Sequence, residues 1–231
     1  MIKYIMSSSA YQQSSKTNQA KLDIDPQNIY LARGPRFRLS SEQIRDQGLA
    51  LSGLLNRKVG GKSVMPYQPE NIWQAVYSQE RWKIAEDDNR FRRGIYTYWR
   101  RTSPYPSMIT FDNPSREYCV SRRIRTNTPL QALVTLNDPV FVEISNAMAN
   151  RMLKHDPSDI RQQIGYGLFL ATGKMEDSDI EVLLELYNAS LPLFEDSNAK
   201  LISNKEESAF ANPLAIVANA ILNLDQVLNK E

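Results

Sequence analysis

Cysteine and histidine are almost missing from this chain: one of each, Cys119 and His155, in 231 residues. One cysteine excludes an internal disulfide. That fits a reducing compartment, and equally an exported domain large enough to fold without cross-links. There is no Cys-x-x-Cys-His sequence, so the chain carries no haem attachment motif. Isolated ligands without paired spacing give no metal site. No stretch approaches the roughly 20 apolar residues of a membrane span. No signal peptide is visible either, because residues 1–6 give way at once to Ser7-Ser8-Ser9. Gly60-Gly61-Lys62-Ser63 lacks the spacer of a phosphate-binding loop and reads as a flexible turn.

What is present is an ordinary globular composition, 42% hydrophobic, in a chain long enough for a sizeable core. The expected organisation is a single domain over residues 1–231. Within it, 1–24 is the remnant of a preceding region, 25–139 an irregular basic half and 140–231 a helical acidic half. The net charge is +2, yet from Asp156 onward thirteen acids face five bases, a balance of −8 that leaves +10 for the rest. The two halves should attract, either holding each other or orienting a charged partner.

The fold class is mainly α: a helical domain with a long irregular, arginine-rich central segment carrying one or two short strands. Ile2, Ile5 and Met6 share one face of what looks like the last turns of a longer helix, a face that needs a partner. Residues 14–20 read as loop, and Asp25-Pro26 as the opening of a short helix that Gly34-Pro35 ends. Ser40 and Gln43 make a capping box for a helix to about Leu55, with Ile44, Leu51, Leu54 and Leu55 buried. Asp46 within it either pairs with Arg33, Arg36 or Arg38 or stays exposed. Residues 70–77 read as a short helix. Thr128, Pro129 and Gln131 mark another helix start, with Leu130, Leu133, Val134 and Leu136 as its apolar face. Asn137-Asp138-Pro139 begins the next, whose inner side carries Val142, Ala149, Met152 and Leu153. Further helices are expected from Asp159 to Thr172, over 176–193 and over 213–228, with a polar linker at 198–208.

The stretch from Gly94 to Pro139 organises the chain. Residues 95–99 are β-branched or aromatic and read as a short strand covered on both faces. Residues 108–111 form a second apolar run, closed by a turn at Asp112-Asn113-Pro114. Between Arg90 and Arg125 stand nine arginines, two acids and no lysine. Such exclusive use of guanidinium points to fixed, planar hydrogen bonds and not to a merely solvated face. Either the arginines clip irregular loops to carbonyls and carboxylates of the same chain, or they form a site for a carboxylate, sulfate or phosphate. Arg100, Arg101, Arg122, Arg123 and Arg125 are the anion-binding candidates, with Asp112, Cys119 and Asn127 beside them. Asp112, Glu117, Tyr105 or Cys119 would supply acid–base or nucleophilic character. Cys119 reads as a buried apolar side chain or, alternatively, as a thiol whose pKa neighbouring arginines lower. His155 reads as a helix-end residue and not as a ligand. The modest net charge and the acidic C-terminal half argue against nucleic-acid binding, although Tyr96, Tyr98 and Trp99 stand among the arginines. No spacing is diagnostic of a reaction.

The run RRTSPYPSMITFDNPSREYCVSRRIRTNTPLQALVTLNDPVFVE at 100–143 is the most specific part of the chain. With SSSAYQQSS at 7–15, DPQNIYLARGPRFRLSSEQIRDQGLALSGLL at 25–55, GGKSVMPYQPENIW at 60–73 and LAIVANAILNLDQVL at 214–228, it resembles the C-terminal domain of unknown function of planctomycete-type "PSD and cytochrome c" proteins. The resemblance implies a piece of a longer exported protein, periplasmic or at the cell surface, with a cytochrome c module and a further domain upstream. Haem c is then expected only on that upstream module, and no cofactor in this chain. No activity is implied. Two functions stand as expectations: a scaffold or interaction domain packing on the upstream domain, or part of an enzyme or binding site for acidic or sulfated glycans coupled to a redox module.

Overall fold

Side chains that accept the first free N–H groups of a helix set several of the helix starts. The computed structural model describes residues 1–69, 81–195 and 210–230. It opens with α1 (Ile2–Met6) and α2 (Gln19–Ile24), the latter capped by Asn18. A two-residue strand, β1 (Phe37–Arg38), leads into α3 (Ser41–Ser52), where Ser40 and Gln43 form the expected reciprocal capping box. Two single 3-10 turns, Asp88–Phe91 and Gly94–Tyr96, precede α4 (Pro106–Thr110). Then follow α5 (Pro129–Asn137), α6 (Pro139–His155) with Asp138 as its cap, and α7 (Ile160–Thr172) between Asp159 and a left-handed Gly173. The chain continues through α8 (Asp177–Ser190), α9 (Pro192–Glu195), α10 (Pro213–Leu222) capped by Asn212, and α11 (Asp225–Leu228). It returns as β2 (Asn229–Lys230), antiparallel to β1 with Phe37 opposite Lys230. The protein is mainly helical, and this ribbon is the one sheet among the described residues.

The core is built around α6. Ile144, Met148 and Met152 are fully buried among Val217 and Ile221 of α10, Ile164 and Leu168 of α7, and Leu49 of α3. Glycine at 167 permits the closest of these approaches: a Cβ there would stand 2.8 Å from the Met152 sulfur. The two halves meet through this apolar packing of α3 on α6. Arg36–Asp225 and Arg90–Glu143 also cross between them, but their side chains are largely solvent-accessible, so they add little to the contact.

Several expectations need correction. Residues 95–99 do not form a strand. Gly94 is tucked so tightly that a Cβ would lie 3.1 Å from the Glu42 backbone, and a 3-10 turn closes there instead. Only Thr97 retains a bridge, parallel to Val64. Residues 108–111 lie in and after α4, because Pro106 fits its first turn and Met108 and Phe111 are buried at a helical interval. Asp25 ends a helix and does not begin one; its carboxylate accepts the Ile29 and Tyr30 N–H groups at 2.7 and 2.8 Å. Asp46 neither pairs with the arginines at 33–38 nor stays free; it accepts the Gly94 N–H at 2.6 Å. The last expected helix is broken at Asn223, whose side chain donates to Asn219 O at 2.8 Å and meets the Thr135 hydroxyl. Helix α3 ends at Ser52, where left-handed Gly53 closes it short of Leu55; its fully buried leucine is Leu49, while Leu51 within it and Leu54 and Leu55 beyond it are half-buried. The helix expected at 70–77 and the linker at 198–208 lie outside the described residues.

The largest departure is α5. Gln131 and Thr135 are 1% and 2% exposed, whereas Leu130, Leu133 and Leu136 are 57%, 56% and 41% exposed. Thr128 supplies no side-chain cap, and the Gln131 amide turns inward. Thr135 also faces in: its carbonyl accepts from Asn219 at 3.1 Å, and Asn219 in turn donates to the buried Ser145 hydroxyl at 3.1 Å. Of the expected apolar face only Val134 packs on the core; the helix otherwise packs by Gln131 and Thr135 and presents its leucines outward.

Candidate anion-binding site

Several arginines, in the central stretch and before it, serve the fold. Arg92 is buried and donates to the carbonyls of Lys58, Gly60 and Lys62 at 3.2, 2.5 and 3.0 Å. Its guanidinium lies 3.7 Å from the centre of the Tyr96 ring, and the Tyr96 hydroxyl accepts the Gly60 N–H at 2.8 Å. The paired glycines therefore wrap an arginine. Arg45 donates to Arg90 O and Arg90 to Glu143, each at 2.7 Å. Arg33 holds the carbonyls of Asp25 and Pro26, and Arg116 lies over Trp99.

A second group of arginines remains open. It is assembled from three directions by a half-buried polar network. Asp112, in the left-handed region at φ 59°, accepts the Thr126 N–H at 2.7 Å and the Thr126 hydroxyl at 2.9 Å. Gln131 donates to that hydroxyl at 3.1 Å and to Thr110 O at 3.0 Å, and accepts the Arg38 Nε at 3.0 Å. Strand β1, the turn after α4 and the first turn of α5 are thereby fastened to one another. Burial lowers the Arg38 pKa, with Asp225 and Asp112 opposing that shift.

Arg38, Ser40, Arg123, Arg125, Thr126 and Gln131 border a narrow cleft of about 30 Å³, enough for roughly one water-sized group. Beside it, the four consecutive exposed residues Arg122, Arg123, Ile124 and Arg125 border a half-open cleft of about 690 Å³. Arg123, Ile124 and Arg125 belong to both. Arg123 holds Glu42 through Nη1 alone, at 2.8 and 3.0 Å. Burial pushes the Glu42 carboxyl up, but hydrogen bonds from Arg123, from its own backbone and from Ser41 outweigh it, leaving the pKa below its ordinary value. Arg125 stacks its face over Phe37 at 4.7 Å. Arg122 is exposed and contacts no acid or carbonyl among the described residues.

Of the residues singled out from sequence, Arg122, Arg123 and Arg125 come together here, and Asp112 borders the narrow cleft with its oxygens engaged by Thr126. Arg100, half-buried, and Arg101, exposed, border neither cleft, and neither does the exposed Asn127. Cys119 is exposed and not buried, because residues 116–125 run along the surface and carry Tyr118 and Val120 out with it. Tyr105 is buried and donates to Tyr67 O at 2.6 Å; burial pushes its pKa to about 12, so it keeps its proton. His155 ends α6 and stacks on Tyr166 at 3.9 Å. No three His, Cys, Asp or Glu side chains gather as a metal site among the described residues, and no helix there is long and apolar enough to cross a membrane. Arg38 and Gln131 were not foreseen. Arg38 lies over ninety positions from Gln131, and the two-residue strand that carries it leaves no alternation to read.

No curated protein and no solved structure matches the chain. A family model described as a protein of unknown function, PSD1 (DUF1553), matches residues 1–187. The match covers most of the chain, including the arginine clefts and their supporting network, and on that ground the chain belongs to the PSD1 (DUF1553) family of proteins of unknown function.

Proposed function

We propose that this chain is a scaffold domain that packs through the outer face of α5 on another domain of the same polypeptide. That domain lies upstream, in a cytochrome c-linked exported protein of the periplasm or cell surface, and haem sits there and not on this chain. The inverted burial of α5 carries the reading: leucines at 130, 133 and 136 face out while Gln131 and Thr135 are buried. A row of leucines at helical spacing left exposed adds little to the packing of the described residues, and such faces mark interaction surfaces. The exposed Ile2, Tyr4, Ile5 and Met6 of α1 offer a second apolar surface.

The test is to express residues 1–231 separately from the upstream region and measure their association. Replacing Leu130, Leu133 and Leu136 by Ser should weaken association at least tenfold and leave the melting temperature of the isolated chain within about 2 °C, as expected for surface positions. Unchanged association in that variant, or no association of the parent pair, overturns the proposal. An absorbance spectrum of each piece shows which one carries haem.

A further inference from the structure

We infer that the two arginine-lined clefts form one binding site for an oxyanion group, a carboxylate, sulfate ester or phosphate ester, carried on a small body that fills the wider cleft. This inference is independent of the α5 surface and stands whether or not that surface docks a partner.

The first support is the state of the guanidinium groups. Arg38 uses Nε on Gln131, and Arg123 uses Nη1 on Glu42. Arg125 is engaged through its face, over Phe37. Arg122 has no partner among the described residues. Donors therefore remain on each of them, whereas Arg92 has three carbonyl acceptors.

The second support is their arrangement. Arg122, Arg123 and Arg125 repel one another, and Arg38 is brought to them from β1 by the buried Gln131. The carboxylates near them are already engaged: Asp112 by Thr126, Glu42 by Arg123 and Ser41, and Asp225 by Arg36 and Asn229. Four guanidiniums stand there against the carboxylates of Glu42 and Asp112, so a cluster held in place by a polar network keeps an excess of positive charge that a bound anion offsets.

The third support is size. The narrow cleft of about 30 Å³ suits one oxygen of the anion, with Arg38, Arg123 and Arg125 on its lining together with Ser40, Thr126 and the already hydrogen-bonded Asp112. The adjoining half-open space, bordered by Arg122, Arg123, Ile124 and Arg125, leaves room for the body that carries the anion. The half-open shape admits a chain end or an internal unit of an acidic polymer equally.

Calorimetric titration of the full chain at low ionic strength tests this, with glucose 6-sulfate, glucose 6-phosphate and glucuronate as probes. Glucose, inorganic sulfate and inorganic phosphate serve as references. At least one charged sugar should bind, with glucose silent and the matching inorganic anion about tenfold weaker. Arg122→Ala should weaken binding about tenfold with an unchanged melting temperature, because that exposed side chain has no partner among the described residues. Arg125→Lys keeps the charge and loses the planar fork, and should weaken binding while leaving its salt dependence in place. Arg57→Ala, at an exposed arginine outside both clefts, should change nothing. Binding of inorganic anions as tight as that of the sugars overturns the wide cleft as part of the site. Equal affinity in Arg122→Ala and the parent, or no binding by any charged probe, overturns the site itself.

Discussion

Single residues in this protein show why guanidinium and ammonium are not interchangeable. Arg92 is enclosed by three carbonyls and a tyrosine ring. Lysine there keeps the charge but cannot reach three acceptors in one plane. Arg92→Lys should cost about 2–3 kcal/mol of stability, in the range of lost hydrogen bonds to a charged group, and denaturant unfolding measures it. Two carboxylates of α3 respond oppositely to pH. Glu42 has its pKa lowered in the fold, so its contribution is present above the ordinary value of 4.5 and fades as pH falls through the folded one. Replacing it by Gln should cost about 1 kcal/mol at pH 7, a difference that closes in acid. Asp46 is raised, chiefly by burial, with the Gly94 N–H opposing. Folding therefore disfavours its charge, and Asp46→Asn, which keeps an acceptor for Gly94, should equal or exceed the parent's stability at pH 7. That advantage should vanish below pH 3.8, where the carboxyl is protonated in both states. Melting curves at pH 7, 5 and 3 of the parent and both variants decide the signs.

Elements in this chain were legible in the sequence where backbone chemistry is local. The Ser40–Gln43 box, Asp138 before Pro139 and Asp159 before α7 each act within a few residues, and each helix starts where its cap indicates. Periodicity located α6 for the same reason: Val142, Ala149 and Met152 of its expected inner side are buried, although Leu153 is 43% exposed. It misled at α5, where the leucine row has the right spacing and the wrong direction. What turns α5 is tertiary: Gln131 is drawn to Thr110, Thr126 and Arg38, and Thr135 to Asn219 and Asn223, and of these only Thr126 falls within a window of a dozen residues. Residues 95–99 failed likewise, because the close seating of Gly94 on α3 outweighs β propensity. The arginine clusters were visible as composition, but the division between clips and open donors depends on partners far along the chain. The inversion of α5 is testable by a pair of substitutions. Gln131→Leu is apolar and buried, yet it strips partners from Arg38, Thr110 and Thr126 and should destabilise by about 2–4 kcal/mol. Leu133→Gln is polar and exposed, and should change the isolated chain by less than about 0.5 kcal/mol. Urea unfolding of the two side by side gives the ranking, and the reverse order would mean that α5 is turned the other way.

At the scale of the whole molecule, the last residues close the region that the arginines occupy. Leu39 N–H donates to Leu228 O at 3.0 Å, Gln47 to Val227 O at 3.0 Å, and β2 lies along β1. The acidic C-terminal half thus meets the basic half less by charge than by inserting Val227 and Leu228, 3% and 7% exposed, beneath β1 and α3. Strand β1 carries Arg38, so the open clefts depend on a segment nearly two hundred residues further along. Removing residues 224–231 should therefore act in two ways. Loss of the two buried side chains costs about 3–6 kcal/mol, seen as an earlier denaturant midpoint. Release of β1 frees Arg38 from its place opposite Arg123 and Arg125, so any oxyanion binding should fall further than in Arg122→Ala. The bundle of α6, α7, α8 and α10 keeps its own packing and its far-ultraviolet helical signal. Replacing only Val227 and Leu228 by Ala separates the causes: stability should drop with the ribbon still paired, and binding should fall by less than in the truncated chain. If truncation leaves both midpoint and binding unchanged, the ribbon holds nothing, and the clefts are positioned by Gln131 alone.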